Sequence, residues 1–158
     1  MDFETIFNNL DNIDKKSINA YRSARQFKNI ATYPLVSIGD KVAPVLVACI
    51  VNKLLSCELF LKSLIIMNTK EIPEGHHLIK LLEESNISSI VINRMPDFEF
   101  EKELEKINNA FVNWRYIYES DESTIYNGFV NTLCEVLEEI TREKILEIYK
   151  LNMLQSFI

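Results

Sequence analysis

Apolar positions recur along most of the chain at alternating steps of three and four residues, the spacing of a helix that turns one face to a core. Ile6, Leu10, Ile13, Ser17, Ala20, Ala24 and Phe27 follow it and predict one long helix over the first 30 residues, or two short ones in line. Thr32 to Asp40 carries Pro34 and Gly39 without clear periodicity, and so is expected to be a loop. Val42 to Val51 then runs for ten residues with only the thiol of Cys49 as a polar feature. Beyond Asn52 and Lys53 the pattern turns amphipathic, with Leu54, Leu55, Leu59, Leu61, Leu64 and Ile65 interrupted by Ser56, Glu58 and Lys62. This predicts a central helix from about Asp40 to Asn68, buried over much of its circumference, with Pro44 in a first turn that does not need its missing N–H. Lys70 to Gly75 reads as a second loop, and His76 to Leu82 as the start of a short helix with Leu78, Leu81 and Leu82 on its buried edge. The β-branched run from Asn86 to Arg94 is either a short helix or an extended connection, because a lone strand has no partner here. Pro96-Asp97 is expected to open the next helix, with Asp97 as its cap. Phe100, Leu104, Ile107, Phe111, Trp114 and Tyr118 keep the helical step through that segment. Asp121 or Ser123 would cap a last helix with Phe129, Val130, Leu133, Val136, Leu137 and Ile140 on a wide apolar face, reaching about Leu151.

These elements predict an all-α protein: an up-and-down bundle of four to five main helices, with a short helix and a connection between the central helix and the aromatic one. Three glycines and four prolines in 158 residues leave few turn signals and no visible boundary, so residues 1–158 read as a single domain. The apolar run of the central helix ends at Asn52-Lys53, well short of the roughly 18 residues a membrane span requires. Cys49, Cys57 and Cys134 do not form a disulfide framework, since the first two lie about 12 Å apart along one helix. Reduced thiols, with no apolar run at the N-terminus, point to the cytoplasm.

The net charge of −6 conceals an asymmetry: residues 1–96 carry 11 basic and 10 acidic side chains, residues 97–158 carry 6 and 13. General attraction to nucleic acid is disfavoured by this balance, and only a local basic patch would serve. Lys15, Lys16, Arg22, Arg25 and Lys28, with no acid among them, are the candidate patch: a solvated helix face or a phosphate-contacting stripe. No metal or cofactor is expected. Adjacent His76 and His77 would point about 100° apart on a helix, no thiol pair has zinc spacing, and three scattered glycines cannot build a phosphate loop. Two i,i+4 pairs remain. Arg115 and Glu119, next to Trp114 and Tyr116, form one; Glu58 and Lys62, expected to be more buried, form the other.

Three stretches in series, Leu55–Leu64, Glu74–Leu82 and Asn109–Glu119, resemble the HEPN superfamily of small helical domains found in prokaryotic toxin–antitoxin and defence systems and in nucleotide-related proteins. The resemblance covers residues 40–120 and implies a bundle of four or five helices that forms a two-fold dimer. Its ribonuclease members place an Arg and, four to six residues later, a His in a cleft between protomers. Arg115 matches the Arg, but Glu119-Ser120-Asp121-Glu122 follows it and no His occurs after His77. The Glu58–Lys62 pair matches a family pattern of Glu, three residues, Lys. The resemblance therefore implies a non-catalytic binding or accessory protein for RNA, a nucleotide or a protein partner. Arg115, Tyr116, Glu119, Glu58 and Lys62, with Lys15, Arg22 and Arg25, are its candidate binding residues. The alternatives are a metal-independent ribonuclease in which His76 or His77 supplies the missing imidazole to Arg115, and a purely structural oligomerisation module.

Overall fold

A computed structural model describes residues 3–32, 43–108 and 127–149, and every regular element among them is a helix. The first amphipathic segment forms two helices, α1 (Phe3–Asn9) and α2 (Asn12–Thr32). Asp11 divides them: its Oδ1 accepts the Asp14 amide at 2.7 Å, the bond by which a capping carboxylate closes a helix N-terminus. The central helix α3 (Ala43–Thr69) spans the expected stretch, with Pro44 in its first turn. It stops where Lys70 takes a left-handed φ of 61° while its amide still bonds the Ile66 carbonyl.

The next three helices are short: α4 (Leu78–Glu84), α5 (Ser88–Arg94) and α6 (Phe100–Asn108). Residues 86–94, ambiguous in the sequence, thus form a helix after a left-handed turn at Asn86, φ 59°. Two expected starts are displaced. His76 and His77 do not begin a helix; His76 lies in the loop and His77 is the N-cap of α4, in extended conformation. Asp97 does not cap α6, because the turn at Pro96–Phe98 holds it short of a helix that opens only at Phe100. The last helix, α7 (Asn127–Ile148), ends three residues before the expected Leu151, with Tyr149 in a turn. Residues 109–126, including Phe111, Trp114 and Tyr118 of the expected helix and the caps expected at Asp121 and Ser123, lie outside the described residues.

The core is organised around α3, which packs most extensively on α2, then on α7, and also touches α4. From Leu54 to Met67 nearly every α3 side chain is buried, Ser56, Glu58 and Ser63 included. Apolar residues surround it: Ile18, Tyr21 and Ala24 from α2, and Phe129, Val130, Leu133, Leu137 and Ile145 from α7. The α2 stripe is rotated from expectation. Ser17 and Ala24 are buried as predicted, but Ile6, Leu10, Ile13, Ala20 and Phe27 are only half-buried, while Ile18 and Tyr21 occupy the centre. A reciprocal serine pair explains the orientation. Ser17 Oγ donates to the Ser63 carbonyl at 3.0 Å and Ser63 Oγ to the Ser17 carbonyl at 2.9 Å, so α2 and α3 meet where both side chains are small.

Two further ties fasten the bundle. At one end, Asp14 Oδ1 accepts from Lys70 Nζ at 2.5 Å and from the Tyr149 hydroxyl at 2.7 Å, joining the first turn of α2 to the ends of α3 and α7. On the flank, Glu138 of α7 pairs with Arg25 at 3.0 Å and Lys28 at 2.5 Å, both from α2. No helix is long and apolar enough to cross a membrane among the described residues.

Candidate functional site

Glu58 is the polar group that the fold buries most expensively. It sits midway along α3, where it is 3 % exposed among the helices that pack on this one. Isolating a charge in this way is tolerated only if partners compensate it. Two converge on one oxygen. Lys62, one turn further along α3, places Nζ 2.9 Å from Glu58 Oε1, and His76 places Nδ1 2.9 Å from the same atom. Glu58 Oε2 is buried and accepts no hydrogen bond.

The two partners differ in access. The Lys62 side chain is 18 % exposed and that of His76 64 %, so the cluster runs from a dry carboxylate at its base to an imidazole at the surface. His76 reaches it from the irregular loop of residues 70–77. Gly75 directly precedes it with φ +86°, a conformation that side-chain-bearing residues rarely adopt, and a Cβ built there would meet nothing within 4 Å. Behind the loop, Asn108 at the end of α6 accepts the Ile79 amide at 3.0 Å and so fixes the start of α4, three residues beyond His76.

The remaining candidates are distributed differently. His77 is exposed and its side chain makes no capping bond. Lys15 donates to the Asn8 carbonyl at 3.0 Å, Arg25 is paired with Glu138, and Arg22 is exposed on α2. The basic stretch of α2 is therefore partly neutralised by an acid of α7 that lies more than 100 residues away in sequence. Arg115, Tyr116 and Glu119 lie outside the described residues. Sequence reasoning paired Glu58 with Lys62 and named His76 apart from them; its convergence on the pair depends on a loop path that no periodicity encodes. Asn108 carried no signal at all.

Elsewhere, a groove of about 320 Å³ between α3, α5 and α7 has an apolar floor of Leu64, Ile87 and Ile140, and its rim charges Arg94 and Glu143 are paired at 2.9 Å. Among the described residues no group of three or more His, Cys, Asp or Glu side chains is arranged to hold a metal ion.

The all-helical order of the described residues agrees with one family. The HEPN domain matches residues 49–149, about two-thirds of the chain. The chain belongs to the HEPN family. The match contains Glu58, Lys62, His76 and all of α7, and leaves α1 and α2 outside it. No curated protein and no solved structure matches the chain.

Proposed function

We propose that this HEPN protein binds RNA or a nucleotide through a phosphate taken up at the mouth of the Glu58 cluster, as a non-catalytic accessory protein in bacterial defence or stress response. The observation that carries the reading is the convergence of Lys62 and His76 on one buried carboxylate oxygen. It holds two nitrogen donors side by side, the outer one at the surface, an arrangement suited to the oxygens of a phosphate. Arg115, the residue that matches the family arginine, is assigned to the same ligand. The overall charge of −6 confines such binding to a local site and gives it a small salt slope.

Fluorescence anisotropy with a labelled single-stranded oligoribonucleotide tests the reading. Binding is expected to weaken about tenfold in Lys62→Ala and in Arg115→Ala, and to depend weakly on salt. Equal affinity in both variants and the unaltered protein removes this site from the function. The family-based expectation of a homodimer is checked by the mass in solution of the same samples.

A second reading is favoured by the 2.9 Å bond between His76 Nδ1 and Glu58. A carboxylate on Nδ1 orients the imidazole and favours its charged form, a pairing found in many general acid–base sites. The protein would then be a metal-independent ribonuclease in which His76 replaces the histidine absent after Arg115. RNA cleavage in excess chelator, lost both in Arg115→Ala and in the His76→Ala/His77→Ala double variant, would establish it. Uncut RNA with the folded protein would eliminate it.

A further inference from the structure

The proposed phosphate site contains a conflict of charges that narrows the ligand. In the free protein Lys62 and His76 both serve Glu58 Oε1, and no other described group bonds this carboxylate. A phosphate that draws either donor outward leaves a carboxylate that is 3 % exposed with fewer partners than before. Breaking a buried pair from one side carries a heavy penalty, much of it from the charge left behind. A simple phosphate would therefore compete with Glu58 and bind poorly. A ligand that also brings N–H donors to the carboxylate escapes the penalty.

Resting on the phosphate-binding reading above, we infer that the ligand is a guanine-containing RNA, with the guanine N1–H and N2–H₂ edge satisfying Glu58 while an adjoining phosphate takes Lys62 and His76. Guanine is the one standard base that presents two neighbouring donors on its Watson–Crick edge, and these match the two oxygens of a carboxylate. Adenine and cytosine offer one amino group beside an acceptor that a carboxylate repels, and uracil offers a single imide N–H between two carbonyls. The unpartnered Oε2 supplies the second acceptor.

Access to the carboxylate requires that the cover over Oε1 move. The cover is the His76 side chain, 64 % exposed, on a loop whose preceding residue Gly75 has a left-handed φ and open space around it. The rest of that loop, Lys70 to Glu74, is also largely exposed. Swinging His76 outward breaks its bond to Glu58 and brings its ring toward the phosphate. The same movement uncovers Oε1, the first of the two acceptors that the base requires.

Four fluorescein-labelled oligoribonucleotides test this by anisotropy at a fixed, moderate salt concentration: octauridine, and octauridine with one central guanosine, inosine or adenosine. The guanosine oligomer is expected to bind about tenfold or more tighter than octauridine, in line with a two-bond base contact. Inosine, which keeps N1–H and lacks the 2-amino group, is expected in between, and adenosine no tighter than uridine. Glu58→Gln should abolish the differences while His76→Ala, which leaves the carboxylate in place, should keep the guanosine preference. Circular dichroism and melting confirm that both variants are folded. Equal binding of all four oligomers by the unaltered protein overturns the guanine inference and leaves the phosphate site standing. Binding of none overturns both.

Discussion

At the residue scale the protein depends on a few polar groups placed where water cannot reach them. Lys62 contributes by compensating Glu58 more than by any attraction to solvent-exposed acids. Lys62→Met is expected to cost about 3 kcal/mol in urea denaturation, near the lower end for breaking a buried pair, because His76 remains bonded. Replacing both partners, Glu58→Leu with Lys62→Met, should return most of that loss, since no charge is then stranded. If the double variant proves as unstable as the single one, compensation of Glu58 is not what Lys62 does. Asp14 behaves differently. Burial raises the pKa of its carboxyl, but hydrogen bonds from Lys70 and Tyr149 outweigh burial and hold it below the usual range. A carboxyl with a lowered folded-state pKa adds stability above its unfolded value, about 3.9, and loses it as the pH falls through the folded value. Asp14→Asn should therefore be less stable than the parent at pH 7 by about 2 kcal/mol. The gap should close as the pH falls below about 4, and a gap that stays constant into acid would show that Asp14 does not act through its charge. In alkali the sign reverses. Burial lifts the Tyr21 phenol to about 12, so its stabilising contribution is complete below its ordinary value near 10 and is lost between the two.

At the element scale, α2 and α3 are joined by their smallest polar residues. Enlarging one of them, as in Ser63→Leu, separates the two helices and should cost about 3 kcal/mol through overpacking. Ser63→Ala removes one reciprocal bond and should cost about 1 kcal/mol. Equal losses in the two variants would mean that the helices do not approach closely there. The sequence defined these helices well where periodicity was strong. The core face of α7, the burial of α3 and the buried edge of α4 followed from apolar spacing. It failed where one polar contact rotates or starts an element. The α2 stripe was misplaced to one side: Ser17 and Ala24 face the core as expected, but the centre of the face is taken by Ile18 and Tyr21 rather than Ala20 and Phe27, and the serine on that face did not announce its partner Ser63. The α6 start was misplaced because Asp97, chemically a good cap, is occupied by a turn. The candidate site was half legible: Glu58 and Lys62 share one helix and one spacing, while His76 joins them through a loop whose course depends on Gly75 and on the Asn108 bond to α4.

At the scale of the whole molecule, the interior is sealed unevenly, and its three thiols report this. Cys57 and Cys134 are buried, Cys57 having its thiol pKa pushed up by that burial and then by Cys134, whereas Cys49 is half-buried toward the start of α3. Since thiolates react and buried thiols do not, one equivalent of a thiol reagent should be consumed quickly by the native protein. The other two should follow only at the rate of global unfolding. Rapid labelling of all three would reveal an interior that opens without unfolding. The described residues also divide by kind of contact. One side is the long-helix frame of α2, α3 and α7, fastened by the serine pair, by Glu138 with Arg25 and Lys28, and by Asp14 with Lys70 and Tyr149. The other is the run from α4 to α6, whose apolar residues join the same core and whose polar ties are few, such as the bond from the Ile79 amide to Asn108.

The serine pair decides which of these sides can respond to an occupant of the Glu58 cluster. Each of its hydrogen bonds is made by one helix to the backbone of the other, so sliding α2 along α3 by even one residue forfeits both at once. That contact works as a ratchet tooth rather than as a greased bearing. The backbone that carries Glu58 and Lys62 belongs to the locked member and stays where it is. Whatever adjustment a ligand demands must be made by the strap that carries His76 and by the short helices behind it, which makes α3 the anvil against which the rest of the site closes.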